Sequence, residues 1–170
     1  FLKDESGLIL AEALIMLPLL VWTMVAMFVY WDVFRTINMT QKAAYSVADL
    51  LSRQENPISF AYGAGLQNIL SFLTPNGHPT MMRITSFEYD EPNEHYDLLF
   101  SFSPNDAIAP VNEATIQNWE PRIPELSHLE SVFVVETQVD FKAQLDPGLL
   151  GLLIGVDDQS FGEFIVTRPR

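Results

Sequence analysis

Glu12 is the residue whose position in this sequence most clearly asks for a chemical explanation. Between Leu8 and Trp31 it is the only charged side chain, and it lies about one helical turn inside that apolar run. A carboxylate at such a depth costs about 2 to 3 kcal/mol even on lenient insertion scales, and less near the interface. We therefore expect that Glu12 either reaches water at headgroup depth or has a specific partner.

Other residues with catalytic or ligand-binding chemistry are sparse. The chain contains no cysteine, which excludes disulfides, thiolate metal sites and a cysteine nucleophile. Among His78, His95 and His128, no two stand at metal-ligand spacing. The sequence also lacks a Gly-rich phosphate loop and a Gly-x-Ser-x-Gly elbow. We expect no catalytic residue, no cofactor and no metal site, and therefore not an enzyme.

One acidic turn is the exception to this sparseness. Without EF-hand spacing, its acids predict a solvated turn that blunts a sheet edge, and the alternative is a metal- or ligand-binding module. The turn contains Asp90, Glu91, Asn93, Glu94, His95 and Asp97.

The residues just before Glu12 give it a specific context. Gly7 is followed by four mostly apolar residues, Leu8 to Ala11, and then by Glu12. This pattern resembles the processing motif of type IV pilin precursors, in which the chain is cut after the glycine. The resemblance implies a new amino terminus at Leu8, one helical turn from Glu12, so that the carboxylate could pair with its own amine or with that of an adjacent subunit.

The two ends of the chain extend this resemblance to a narrower family. Asp4 to Gly7, Glu12, the stretch 17–20 (Leu-Pro-Leu-Leu) and the closing residues 166–170 (Val-Thr-Arg-Pro-Arg) resemble the TadE/TadG-like family of Tad pilus assembly. Members are minor pilin-like or pseudopilin-like membrane proteins. The resemblance implies a structural or assembly subunit, anchored by one N-terminal helix in the bacterial cytoplasmic (inner) membrane with its head in the periplasm. Its implied partners are the lipid bilayer and pilus assembly components.

A second expectation stays open beside the first. Residues 1–7 are present in the chain, and a retained leader-like segment would favour an ordinary anchored subunit over a filament subunit. The alternative function is an accessory subunit of another bacterial membrane complex, for example a photosynthetic or respiratory one, with an uncleaved pilin-like anchor. Counts of Lys and Arg leave the membrane orientation open.

The charge of the chain is divided unevenly. Of the formal net charge of −13, residues 1–56 carry −2 and residues 57–170 carry −11. No two Lys or Arg residues are adjacent, which argues against a nucleic-acid partner. We expect the acidity to keep the C-terminal part soluble and to repel anionic lipid headgroups.

The N-terminal part predicts a transmembrane helix over residues 8–31. Ala13 to Trp31 is an uncharged run of nineteen residues, about 28 Å long as a helix, which matches the hydrocarbon thickness of a bilayer. Pro18 predicts a local kink, and Trp22, Tyr30 and Trp31 are expected membrane-interface anchors. A helical period continues over residues 32–56 as a stem of about 70 Å in all, unless the helix breaks near residues 30–32.

Residues 57–170 predict an α+β head. A helix over residues 59–73 contains Gly63 and Gly65, which indicate either close packing or a delayed start near Gly65. Alternating patterns predict strands at 82–90, 94–103, 131–143 and 161–168, with an irregular excursion and a short helix between the second and third. We expect a small antiparallel sheet with one polar face, packed on the outer part of the stem.

The segment 147–156 is almost entirely aliphatic residues and glycine. It is too short to span a bilayer and is expected either to close the core or to present a docking patch for a partner or the membrane surface. The partner-docking candidates are Leu149, Leu150, Leu152 and Leu153.

Overall fold

A computed structural model of the chain describes residues 6–142 and 159–169, with side chains described from Leu10 onward. The first element, α1, is one helix from Ser6 to Ser52 with Pro18 inside it, so the predicted stem does not break at residues 30–32. Helix α1 ends at Ser52, before the predicted limit at residue 56. Ser52 Oγ donates to the carbonyl of Asp49 (2.8 Å), so that in the last turn a hydroxyl competes with backbone N–H groups for this acceptor.

The chain separates into two units at the Arg35–Thr36 junction of α1. The described part of the first unit is residues 6–35, and that of the second is residues 36–142 with 159–169. We call the second unit the head.

The head contains a four-stranded antiparallel sheet, as the sequence predicted. The strand order is β2-β1-β3-β4, so β1 and β3 are central among the described residues. With the helices, this confirms the α+β class. The strands are β1 (Thr80–Asp90), β2 (His95–Phe102), β3 (Ser131–Phe141) and β4 (Gln159–Thr167), and the two shorter helices are α2 (Phe60–Leu73) and α3 (Glu113–Gln117).

One face of the sheet packs against α1 and α2. Small and aliphatic side chains spaced by three and four along α1 meet inward residues of β1, β3 and β4, which buries the apolar stripe of the helix. This first core contains Ala43, Ala44, Val47, Ala48 and Leu51 of α1, Leu66 and Leu70 of α2, and Met82, Ile84, Val135 and Ile165 of the sheet.

The expectation that the other sheet face is polar was wrong. Phe87, Val132 and Val134 are fully buried there, under Ile116 and Trp119 from the segment between β2 and β3. The Trp119 ring meets Phe164 of β4 edge-on, with centroids 5.1 Å apart. The irregular excursion is therefore the cover of a second core, which is why a central strand such as β3 is apolar on both faces.

Gly63 explains why α2 can lie so close to the sheet. The helix begins at Phe60, capped by the Ser59 side chain, and not at Gly65. A Cβ atom at Gly63 would lie 2.6 Å from Cε2 of Phe102, whereas a Cβ at Gly65 would have nothing within 4 Å. Of the two predicted roles, close packing is confirmed for Gly63.

Candidate membrane anchor and head surfaces

The apolar segment of α1 lies open. Every side chain from Leu10 to Met24 is exposed, although most are large and apolar. The hydroxyl of Thr23 donates to the carbonyl of Leu19 (2.9 Å) and is thereby satisfied within the helix. Lipid offers no hydrogen-bonding partner, so a hydroxyl satisfied within its own helix is compatible with a bilayer. By length and composition, α1 can span a membrane.

The expected interface anchors lie on α1, and Trp31 has the most developed surroundings. Trp22, Tyr30 and Trp31 are all exposed. The Trp31 ring lies 5.8 Å from that of Phe28, and the Arg35 guanidinium carbon lies 5.5 Å from its centroid. Trp31 thus has an aromatic neighbour on one turn and a cation on the next, an arrangement that suits a membrane–water interface. Sequence reasoning missed Arg35, which the i, i+4 spacing from Trp31 could have indicated.

Glu12 is exposed on the first turns of α1. In the described part of the chain, no basic side chain forms an ion pair with it. Gly7 and Leu8 belong to the same helix by their backbone, so the three residues of the proposed processing motif share its first two turns. The docking candidates Leu149, Leu150, Leu152 and Leu153 lie outside the described residues, as do residues 1–5 of the leader-like segment.

The acidic turn between β1 and β2 is held by its own contacts. Asn93 Nδ2 donates to Asp90 Oδ2, and the backbone N–H of Glu91 donates to Nδ1 of His128 (3.3 Å). His128 Nδ1 also lies 3.7 Å from Asp90 Oδ1, a contact between opposite charges only when the imidazole is protonated. Over residues 6–142 and 159–169, no three His, Asp or Glu side chains converge as metal ligands would.

A surface cleft of about 360 Å³ opens on the second sheet face and was not predicted. At one wall, Arg83 Nε donates to Glu136 Oε2 (2.7 Å), and at another the Arg122 guanidinium carbon lies 3.6 Å from the Phe164 ring centroid. Glu136 is thus neutralised by its neighbour on β1. These contacts join the sheet to the covering segment, and the Glu163 carboxylate also lines the cleft.

A side chain pairs with one residue on the outer edge of β2. Gln117 of α3 accepts from the N–H of Tyr96 (3.2 Å) and donates to its carbonyl (2.8 Å), so that its amide occupies the place of a neighbouring strand at that residue. Burial raises the pKa of Tyr96 above 10.0, and nearby Glu120 and Tyr89 raise it further. Burial alone raises the pKa of Tyr62, whose hydroxyl donates to the carbonyl of Leu50 (3.1 Å).

Compared with known proteins, the chain matches no family model, no curated protein and no solved structure. The functional proposal therefore depends on the chain's own residues.

Proposed function

We propose that this protein is a non-enzymatic, single-pass membrane subunit, similar to TadE-like minor pilins, with a structural or assembly role. The observation that carries the proposal is the unbroken exposure of α1 from Leu10 to Met24, in a helix that continues into a head with its own two cores. A helix with such a surface is stable only where lipid or another apolar surface covers it.

In this proposal the chain is anchored in the bacterial inner membrane with its head in the periplasm. The head's acidic surface keeps it soluble there. Its partners are the bilayer and other membrane subunits, either pilus assembly components or a larger complex.

Glu12 is the residue to which the proposal gives a specific task. In the bilayer its carboxylate favours a cationic partner, and an amine at Leu8 of the same or an adjacent subunit would supply one. Glu12 would then set the axial position of one subunit against the next. No reaction is assigned to it.

The test uses the full chain expressed in a bacterium. We expect the protein to stay in the membrane fraction after alkaline carbonate extraction, and protease added to spheroplasts to remove the head. Release into the soluble fraction would refute the anchor, and a head protected in spheroplasts but cleaved in inverted vesicles would refute the orientation.

Intact mass and cross-linking then distinguish the two kinds of subunit. A start at Leu8, together with loss of self-cross-linking in Glu12→Gln but not in Glu12→Asp, would support the pilin-like role. An intact mass that includes residues 1–7, together with a stoichiometric partner unrelated to pili, would instead identify an accessory subunit of another complex.

A further inference from the structure

The carboxyl-terminal end of α2 exposes a cluster of apolar side chains. Phe72 is 86% exposed, Ile69 37% and Leu73 36%, although Leu66 and Leu70 of the same helix are buried in the first core. We call Ile69, Phe72 and Leu73 the α2 tip. The three side chains are neighbours on one helix end, so together they leave a small apolar patch uncovered on the head.

The α2 tip belongs to a stretch of the chain without charged residues. Residues 56–82 contain no Asp, Glu, Lys or Arg, although residues 57–170 together carry −11. An acidic surface is repelled by anionic headgroups, and such repulsion is absent over this segment. Asp140 and Lys142, at the end of β3, contact this segment through their backbone N–H groups and have side chains of opposite charge.

Connectivity places the α2 tip at a particular end of the sheet. The hydroxyls of Ser71 and Thr80 share a hydrogen bond, so the end of α2 lies beside the start of β1. Thr80 pairs with Val139, and β3 ends two residues later, at Phe141. The acidic turn belongs to the opposite ends of β1 and β2.

Chain length limits how far the head can be from a membrane that α1 spans. Thr36, the first residue of the head, follows Trp31 by only five residues. Even a fully extended chain of that length reaches no more than about 18 Å. A membrane surface is therefore within reach of the head.

The size of the cluster favours lipid over a protein partner. A stable protein interface uses about 20 to 30 residues on each side, whereas the α2 tip offers three large apolar side chains. Shallow insertion into the boundary between headgroups and acyl chains needs no matching surface and suits aromatic and aliphatic side chains.

We propose that the α2 tip inserts into the interfacial layer of the bilayer that α1 spans, and so seats the head on the membrane at the end of the sheet opposite the acidic turn. This inference rests on the membrane anchoring proposed above. Phe60, at the other end of the same helix and 60% exposed, remains in water.

The experiment is site-directed nitroxide labelling of the full chain, which is simplified because the native sequence has no cysteine. Single variants Phe72→Cys, Phe60→Cys and Met24→Cys are labelled and reconstituted in vesicles of phosphatidylethanolamine and phosphatidylglycerol. Accessibility to oxygen, which concentrates in lipid, is compared with accessibility to a water-soluble nickel chelate. Far-UV circular dichroism checks that each labelled protein is folded, and Ile69→Cys replaces Phe72→Cys if that variant is not.

We expect the oxygen-to-nickel accessibility ratio at position 72 to exceed that at position 60 severalfold and to lie towards the value at position 24. If position 24 reports lipid and position 72 reports water, the inference is wrong and the anchor stands. If position 24 also reports water, the anchor itself is wrong. An immobile label at position 72 with low accessibility to both reagents would show a protein contact, which overturns the lipid assignment.

Discussion

Replacing Gly63 with alanine tests whether α2 is held against the sheet by the absence of one side chain. In a helix, Gly→Ala alone is stabilising by about 1 kcal/mol. At Gly63, however, the new Cβ would meet Phe102 Cε2 at 2.6 Å and Cζ at 2.8 Å. The Phe102 ring is itself packed beside Phe60 and Phe100, at centroid distances of 6.0 and 5.9 Å, so it cannot move freely.

Gly65→Ala is the matched control. It lies on the same helix two residues away, and its Cβ would have nothing within 4 Å. Overpacking costs about 1 to 3 kcal/mol, so we expect Gly63→Ala to destabilise the head by up to about 2 kcal/mol and Gly65→Ala to stabilise it by up to about 1 kcal/mol. For a head of this size, each kcal/mol shifts Tm by about 3 to 6 °C.

The assay is thermal unfolding of the detergent-solubilised full chain, followed by the fluorescence of buried Trp119 after Trp22 and Trp31 are replaced with Phe. The double variant Gly63→Ala/Phe102→Leu, compared with Phe102→Leu alone, should recover much of the loss, since the two residues are in contact. Equal stabilisation by Gly63→Ala and Gly65→Ala would refute the reasoning, because the close approach would then impose no cost.

Three further predictions concern the head. The pKa of Tyr96 is raised in the folded head by burial, Glu120 and Tyr89. As pH rises, the Tyr96 phenol therefore ionises in the unfolded chain before it ionises in the folded head. The free energy of unfolding, measured in urea, should fall as pH rises above about 10, and less steeply in a Tyr96→Phe variant; identical slopes would contradict the assignment. Arg83→Met leaves the largely buried Glu136 carboxylate unpaired and should lower the free energy of unfolding by about 2 to 4 kcal/mol at pH 7. In the same urea titration, the double variant Arg83→Met/Glu136→Gln should recover part of that loss. Asn112 Oδ1 accepts from the N–H and hydroxyl of Thr115 at the start of α3, so Asn112→Ala should cost about 1 kcal/mol by chemical denaturation, and Asn112→Asp should cost less.

Local signals in the sequence were sufficient for the elements themselves. A period of three and four predicted α1 and α2, alternation predicted the four strands, and proline and glycine marked the turns. The predicted strand 131–143 ends at Phe141, and the predicted helix 59–73 begins one residue later, at Phe60. These properties depend on neighbours within a few residues, which the sequence displays directly.

Local signals were equally sufficient for the apolar character of α1. A nineteen-residue uncharged run is long enough for a bilayer whatever its surroundings, and the isolation of Glu12 within the apolar run is visible without coordinates. The roles proposed for Glu12 and its neighbours remain predictions.

Only the tertiary structure decided which surfaces are covered. The strand order, the second core under Trp119 and the pairing of Gln117 with Tyr96 join residues that are far apart in sequence. The short-range spacing of apolar residues in the sequence does not indicate such contacts. For the same reason, the structure alone distinguished Gly63, pressed against Phe102, from Gly65, which faces open space, and exposed Phe72 from buried Leu70 on one helix. The sequence by itself determined an apolar segment joined to an acidic α+β head. Tertiary packing decided which apolar side chains of that head stay exposed, because burial depends on the neighbours that the fold brings together.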